Sequence, residues 1–229
     1  MIIKEITDVF FDLDHTLWDF DRNSKLAFER VFLKNKIGID LDTFISIYEP
    51  INFEYWRLFR EEKVTKEALR HGRLLDSFKK LNMEFSLEVI DTLSVSYIDE
   101  LPHDNHLFDG AEDILKYLQK KYKLHIITNG FEEVQHIKIK NSGIASFFST
   151  ITTSEEVGVK KPNPLVFEKA MQKANVNASA SVMIGDTFEA DILGAEVVGM
   201  HTIFYNYRFD EVSNDYNVIT NLTEIKNFL

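Results

Sequence analysis

The sequence predicts an α/β fold: a Rossmann-like, three-layer α/β/α core on a parallel sheet, with a helical lid inserted after the first strand. Three observations carry that expectation. Short apolar runs alternate with helical periodicities over most of the chain. Polar residues gather directly after three of those runs, where open parallel sheets bind ligands. The alternation fails between Trp18 and Leu101, a stretch with several helical patterns and no strand. The core is therefore placed at 1–17 plus 103–229, and the lid at 18–102.

The first strand is Val9-Phe10-Phe11, continuing through Asp12 to Leu13; it is β-branched or aromatic and ends in polar residues. In the lid, Ser24 is expected to cap a helix carrying Ala27, Phe28, Val31 and Phe32, with Gly38 beyond its end. A longer pattern over 41–59 is interrupted by Pro50, which is expected to kink or split it. Thr65 and Ser86 are expected to cap two further helices, with Pro102 closing the last. The core resumes with a helix over 111–121, carrying Ile114, Leu115 and Leu118 on one face. A strand over 124–127 then ends in Thr128-Asn129-Gly130. A helix over Pro164–Ala174 follows, and a strand over 181–184 ends in Gly185-Asp186.

Composition narrows the function. The 229 residues carry 26 Lys+Arg and 37 Asp+Glu, a net charge of −11, and 45% of them are apolar. Such a chain folds around a core, and it lacks the basic stripe that nucleic-acid binding requires. The absence of cysteine excludes disulfides, thiolate zinc sites and a cysteine nucleophile. Charges interrupt the segment from Met1 to Asp8, so it lacks the apolar run of a signal peptide, and no stretch approaches the ~20 apolar residues of a membrane span. A cytoplasmic, soluble protein that binds neither membrane nor nucleic acid is the expectation.

Asp12-Leu13-Asp14-His15-Thr16 is the sharpest signal. Two carboxylates at i and i+2 after a buried strand call for a compensating cation or proton. Alone, they read first as loop aspartates capping backbone groups. Three further elements favour chemistry. Thr128-Asn129-Gly130 offers a hydroxyl and N–H groups at a strand-to-helix turn. Lys161, before Pro162-Asn163-Pro164, is a cation on a stiff loop. Asp186 and Asp191 add two carboxylates at another strand end. Asp12, Asp186 and Asp191 supply −3; Mg²⁺ and Lys161 would supply +3, leaving room for a phosphate group.

These residues, in this order, resemble the four signatures of the haloacid dehalogenase superfamily of phosphohydrolases. Trp18-Asp19, His71-Gly72-Arg73, Phe131, the segment from Ser154 to Val159, and Asp191-Ile192-Leu193-Gly194 further resemble its YjjG/YfnB-type pyrimidine 5′-nucleotidases. The resemblance implies a C1-type cap and a Mg²⁺ held by Asp12, the Asp14 backbone carbonyl and Asp186. It implies Asp12 as nucleophile, Asp14 as acid and then base, and Thr128, Lys161 and neighbouring N–H groups on the phosphate. Thr16, Asn129, Gly130 and Asp191 complete the substrate side, Asp191 by orienting Lys161 or a metal-bound water. The expected substrate is a small phosphomonoester, a pyrimidine nucleotide first. A sugar-phosphate phosphatase or phosphomutase shares every catalytic residue and differs only in the lid. A dehalogenase does not need Asp14, and a receiver-like switch would lack the lid.

Other residues keep two readings. Phe53, Tyr55, Trp56 and Phe59 would stack a nucleobase or form the lid's own core. Arg73 would contact the base or ribose, or lie on a solvated helix face. Trp18 and Phe20 would line the cleft or pack the hinge. His103 and His106 read as surface residues rather than a metal site, His125 as a core histidine, and Lys160 as solvated.

Overall fold

The computed structural model describes Ile3 and residues 5–229. Met1, Ile2 and Lys4, part of the N-terminal segment read above for its charges, lie outside the described residues. The described residues form a six-stranded, all-parallel sheet: β1 (Asp8–Phe11), β2 (Lys123–Thr128), β3 (Phe148–Thr153), β4 (Ser181–Gly185), β5 (His201–Tyr205) and β6 (Val218–Ile219). The spatial order is β3-β2-β1-β4-β5-β6. Strand order therefore reverses at β1, and the crevice between β1 and β4 is the switch point where such sheets take ligands.

The central strands are buried along their whole length, so they read as continuous apolar runs rather than alternating ones. Phe10 of β1, Ile127 of β2 and Met183 of β4 pack with α8 (Pro164–Ala174) and with Ala195 of α9 (Gly194–Val197). The amphipathic α5 (Ala111–Leu118) buries Ala111, Ile114, Leu115 and Leu118. Sequence patterning finds β1, β2 and β4 but not the outer strands. The edge strand β3, Phe-Ser-Thr-Ile-Thr-Thr, is polar and only partly buried, and β6 has two residues.

The chain divides into two compact units, one of residues 1–20 and 105–229, the other of 21–104. The second contains the helices α1 (Phe20–Asn35), α2 (Leu41–Arg60), α3 (Lys66–Lys80) and α4 (Leu87–Glu100), α1 beginning at the boundary. Thr65 accepts from the Ala68 N–H and Ser86 from the Val89 N–H, so both cap as the sequence indicates.

Two expectations fail here. Helix α1 starts at Phe20, not at Ser24; Ser24 lies inside it, and its hydroxyl pairs with the Tyr97 hydroxyl at 2.8 Å. Helix α2 runs unbroken through Pro50. An interior proline costs about 3 kcal/mol, but α2 buries Phe44, Ile45, Tyr48 and Phe59, each worth roughly 1.5–3 kcal/mol. Packing wins. No helix among the described residues is long and apolar enough to cross a membrane.

Candidate active site

The register sets the site. Phe11 lies level with Ile126 of β2 and Ile184 of β4, so Asp12, Thr128 and Asp186 emerge at one end of the sheet. The Asp12 N–H donates to the Ile184 carbonyl at 2.9 Å, extending the ladder by one residue and fixing the direction of its carboxylate.

Lys161 arrives from the loop between α7 (Ser154–Val157) and α8. Asn163 caps α8 by accepting from the Leu165 N–H, and Pro164 opens the helix. The Lys161 ammonium is buried. It donates to Asp12 Oδ1 at 2.6 Å and to the Ile127 carbonyl at 2.8 Å, and pairs with Asp191 Oδ1 at 2.7 Å. Asp191 sits in a π-helical turn, Phe188–Leu193, a distortion that often accompanies functional sites. It accepts from the Thr187 N–H at 3.0 Å. Its carboxylate crowds the strand end so closely that a Cβ on Gly185 would lie 2.3 Å from Oδ2, which is why glycine stands there.

Electrostatics mark the cluster as unbalanced. Asp12, Asp186 and Asp191 place carboxylate oxygens within 4.8 Å of one another, against one lysine. At an effective dielectric of 20, each ionised pair at that spacing repels by about 3 kcal/mol. Burial pushes the Asp12 pKa up to about 7 against the pull of Lys161 and with the help of Asp191. Burial, then Asp12 and Asp191, raises Asp186 well above the usual carboxylate range. Burial works against the Lys161 charge, but Asp12 and Asp191 outweigh it and hold its pKa above the ordinary value. Three hard oxygen donors, with two negative charges in excess once all are ionised, fit a divalent cation of the Mg²⁺ type. Among the described residues these three carboxylates form the group close enough together to hold a metal ion, and neither His103 nor His106 belongs to it.

The remaining sequence candidates take different places. Thr16 is fully buried and donates to Asp186 Oδ1 at 3.4 Å, so it braces a carboxylate rather than lining an open site. The Asn129 side chain is spent on the Lys161 backbone, accepting from its N–H at 2.9 Å and donating to its carbonyl at 3.0 Å. Asn129 thus fixes the lysine loop. The Gly130 N–H donates to the Thr128 hydroxyl at 3.1 Å. A Cβ on Gly130 would lie 2.3 Å from Gln135 Nε2.

That contact exposes a part of the site that motif reading missed. From α6 (Glu132–Asn141), Gln135 donates to Asp14 Oδ2 at 2.9 Å and to Thr128 Oγ1 at 2.6 Å. One turn on, the buried Lys138 donates to Asp14 Oδ1 at 2.7 Å and lies 4.1 Å from the Trp18 ring centroid. Two donors hold both oxygens of Asp14. A Gln and a Lys on the face shared with Val134 and Ile139 was the available signal. Trp18 is fully buried. His15 accepts at Nδ1 from, or donates to, the Tyr207 hydroxyl at 2.8 Å. Desolvation, then Arg208 and Lys138, pushes its pKa well below 6.5.

A buried carboxylate set with a lysine and a strand-end threonine, at the switch point of a parallel sheet, defines a phosphoryl-handling hydrolase. Residues 9–205 match the family model described as haloacid dehalogenase-like hydrolase, and the chain belongs to that family as an enzyme of its phosphatase kind. It is 33% identical over 199 residues to pyrimidine 5′-nucleotidase YjjG of Escherichia coli, covering 86% of this chain and 85% of that protein. It is 29% identical over 232 residues to a glyceraldehyde 3-phosphate phosphatase of Methanothermobacter thermautotrophicus, covering 96% and 98%. Among solved structures, the magnesium-bound HAD-hydrolase YfnB of Bacillus subtilis aligns with a TM-score of 0.88 at 29% identity, over 98% of each chain.

Proposed function

We propose that the enzyme is a Mg²⁺-dependent phosphomonoesterase acting on nucleoside 5′-monophosphates, with a preference for pyrimidines. The observation that carries the chemistry is the cluster of Asp12, Asp186 and Asp191 against the single Lys161. The Asp12 carboxylate, held at Oδ1 by Lys161, is the nucleophile. Its attack on phosphorus forms an aspartyl-phosphate as the ester P–O bond breaks. Asp14, which enters this step protonated, gives its proton to the leaving oxygen and is left as the carboxylate that Lys138 and Gln135 hold. Water then attacks the phosphorus, Asp14 takes its proton, and inorganic phosphate leaves with Asp12 restored.

Asp12, Asp186 and the Asp14 backbone carbonyl would hold the cation, which when bound would offset charge on the carboxylates and the phosphoryl oxygens. Lys161 and the Thr128 hydroxyl hold phosphoryl oxygens, and Asp191 keeps Lys161 charged and aimed. Lys138 and Gln135 hold the Asp14 carboxylate, so both are positioning residues. The unit of residues 21–104 serves as the cap.

The pyrimidine preference rests on the similarity to YjjG. A sugar-phosphate phosphatase is the second reading, supported by the archaeal glyceraldehyde 3-phosphate phosphatase. The test is phosphate release with Mg²⁺ from UMP, dUMP, dTMP, AMP, GMP, glyceraldehyde 3-phosphate and hexose and pentose phosphates, beside a D12N control. Higher kcat/KM on the pyrimidine nucleotides, lost in D12N, supports the proposal. Preference for sugar phosphates keeps the chemistry and refutes the nucleotide assignment.

A further inference from the structure

A phosphate dianion meets an adverse field on this protein. The chain carries a net charge of −11, and the carboxyl groups of Asp12, Asp14, Asp186 and Asp191 gather at the sheet end where the phosphate would arrive. Lys161 and Lys138 are buried, and both ammonium groups are held against those carboxyl groups, Lys161 by Asp12 and Asp191 and Lys138 by Asp14.

Arg208 is placed differently. It is exposed, whereas Arg73 of α3 lies buried at 2% exposure rather than on a solvated helix face. Arg208 stands on the loop that follows β5, at the same end of the parallel sheet as Asp12 and Asp186. Its Nη2 donates to His15 Nδ1 at 3.3 Å, and its guanidinium carbon lies 4.8 Å from the Tyr207 ring centroid. His15 directly follows Asp14, so this contact ties the guanidinium to the nucleophile loop. The buried Asn206 closes the turn beneath it, donating from Nδ2 to the Asp210 carbonyl and accepting at Oδ1 from the Asp210 N–H, both at 2.8 Å. Within that turn Phe209 takes a φ of 60°, a left-handed conformation that a bulky side chain rarely adopts. Tyr207 packs on Phe108 and Tyr205, with ring centroids 5.1 and 5.7 Å away. The charge of Arg208 reaches the carboxylates: burial, Asp12 and Asp191 raise the Asp186 pKa, and Arg208 and Lys161 act against that rise.

Contacts with an imidazole and a phenol ring fix the guanidinium without cancelling its charge. We propose that Arg208 is the electrostatic guide of the active site, drawing the phosphate dianion of the substrate to the carboxylate-lined sheet end and offsetting the repulsion there. The inference rests on the phosphomonoesterase reading above, but not on which alcohol the phosphate esterifies. The same positive charge opposes a divalent cation at Asp12 and Asp186, so Arg208 acts on phosphate and on Mg²⁺ with opposite signs. A residue that merely holds the loop together would not separate the two.

The experiment compares Mg²⁺-loaded wild type, R208Q, R208K and R208E in phenyl phosphate hydrolysis, with inorganic phosphate as competitive inhibitor. It is run at ionic strengths of about 0.02 and 0.5 M, where charges are felt over roughly 20 and 4 Å. Calorimetric titration of Mg²⁺ and thermal unfolding accompany it. In R208Q the phosphate inhibition constant and KM should rise about three- to tenfold at the lower ionic strength and less than about twofold at the higher, with kcat within about twofold. Mg²⁺ should bind R208Q as tightly as wild type, or up to about threefold more tightly. R208K, which keeps the charge, should stay within about twofold of wild type, and R208E should be weakened beyond R208Q. Unchanged phosphate inhibition in R208Q, a loss independent of salt, or a loss of Mg²⁺ binding alongside that of phosphate overturns the inference. If R208Q does not fold, R208E against R208K decides by the same salt-dependent ratio. A wild type that neither hydrolyses phenyl phosphate nor binds phosphate refutes the phosphomonoesterase reading and this inference with it; an active wild type matched by R208Q at both ionic strengths refutes the inference alone.

Discussion

Strand β1 carries a buried aspartate near each end, and the two have opposite surroundings. Asp8, at its start, accepts from the Thr7 hydroxyl at 2.5 Å and from His125 Nε2 at 2.9 Å, while His125 Nδ1 pairs with Thr150 Oγ1 at 2.8 Å. Asp12, four residues and about 13 Å further on, shares one lysine with Asp191 and faces Asp186 as well. The first cluster is internally satisfied: one carboxylate, one imidazole and two hydroxyls. The second, with its carboxylates ionised, would carry two negative charges too many, and burial resists that ionisation. A sheet buries charge at both ends, and the end left unbalanced is the one that needs something from outside.

The largest effect should come from breaking the unbalanced end. D12N should lower turnover at least about a thousandfold, since the attacking oxygen is removed; steady-state phosphate release measures it. EDTA should abolish turnover, and re-addition of Mg²⁺ should restore it and raise Tm, because a ligand bound only by the folded state stabilises it by about 1–3 kcal/mol at tens to hundreds of times Kd. Differential scanning calorimetry with and without the metal reads this.

Lys138 sharpens the comparison from within the site. K138M should lower kcat about 10- to 100-fold with KM within about threefold, because positioned proton transfer contributes roughly that much or more. K138R should recover part of it, and full-range substrate curves separate the two constants.

The balanced end should behave differently. H125F should destabilise by about 1–3 kcal/mol by leaving Asp8 short of a donor, with kcat little changed; urea denaturation and an activity assay measure the two. Desolvation lowers the His125 pKa despite Asp8, with Lys123 working in the same direction as burial. The folded pKa therefore lies below the unfolded 6.5, and the histidine's contribution is present above pH 6.5. It declines as pH falls below 6.5 and levels off below the folded pKa. H125F should lack that part of the acid slope.

What the sequence made legible follows from local chemistry. Phe10-Phe11-Asp12, Ile127-Thr128 and Ile184-Gly185-Asp186 announce buried strands with polar ends, and Asn163-Pro164 announces a helix start. The same segments meet in space because parallel strands in register bring their ends level. What stayed hidden depends on tertiary context. The Ser/Thr-rich β3 carries no apolar run, and Pro50 is overruled by the burial of Phe44 and Tyr48 around it. Ser24 looks like a cap and lies buried in mid-helix. Gln135 and Lys138 follow no motif, and their meaning appears only once α6 turns them onto Asp14. The brace of Thr16 on Asp186, and that of Asn129 on the Lys161 backbone, join residues far apart in the chain.

The most direct test is calorimetric titration of Mg²⁺ into wild type, D186N and D8N. One saturable site is expected in wild type, lost or severely weakened in D186N and retained in folded D8N. Binding that survives D186N, or that is lost equally in folded D8N, would contradict the claim that the unbalanced carboxylates after β1 and β4 form the cation site.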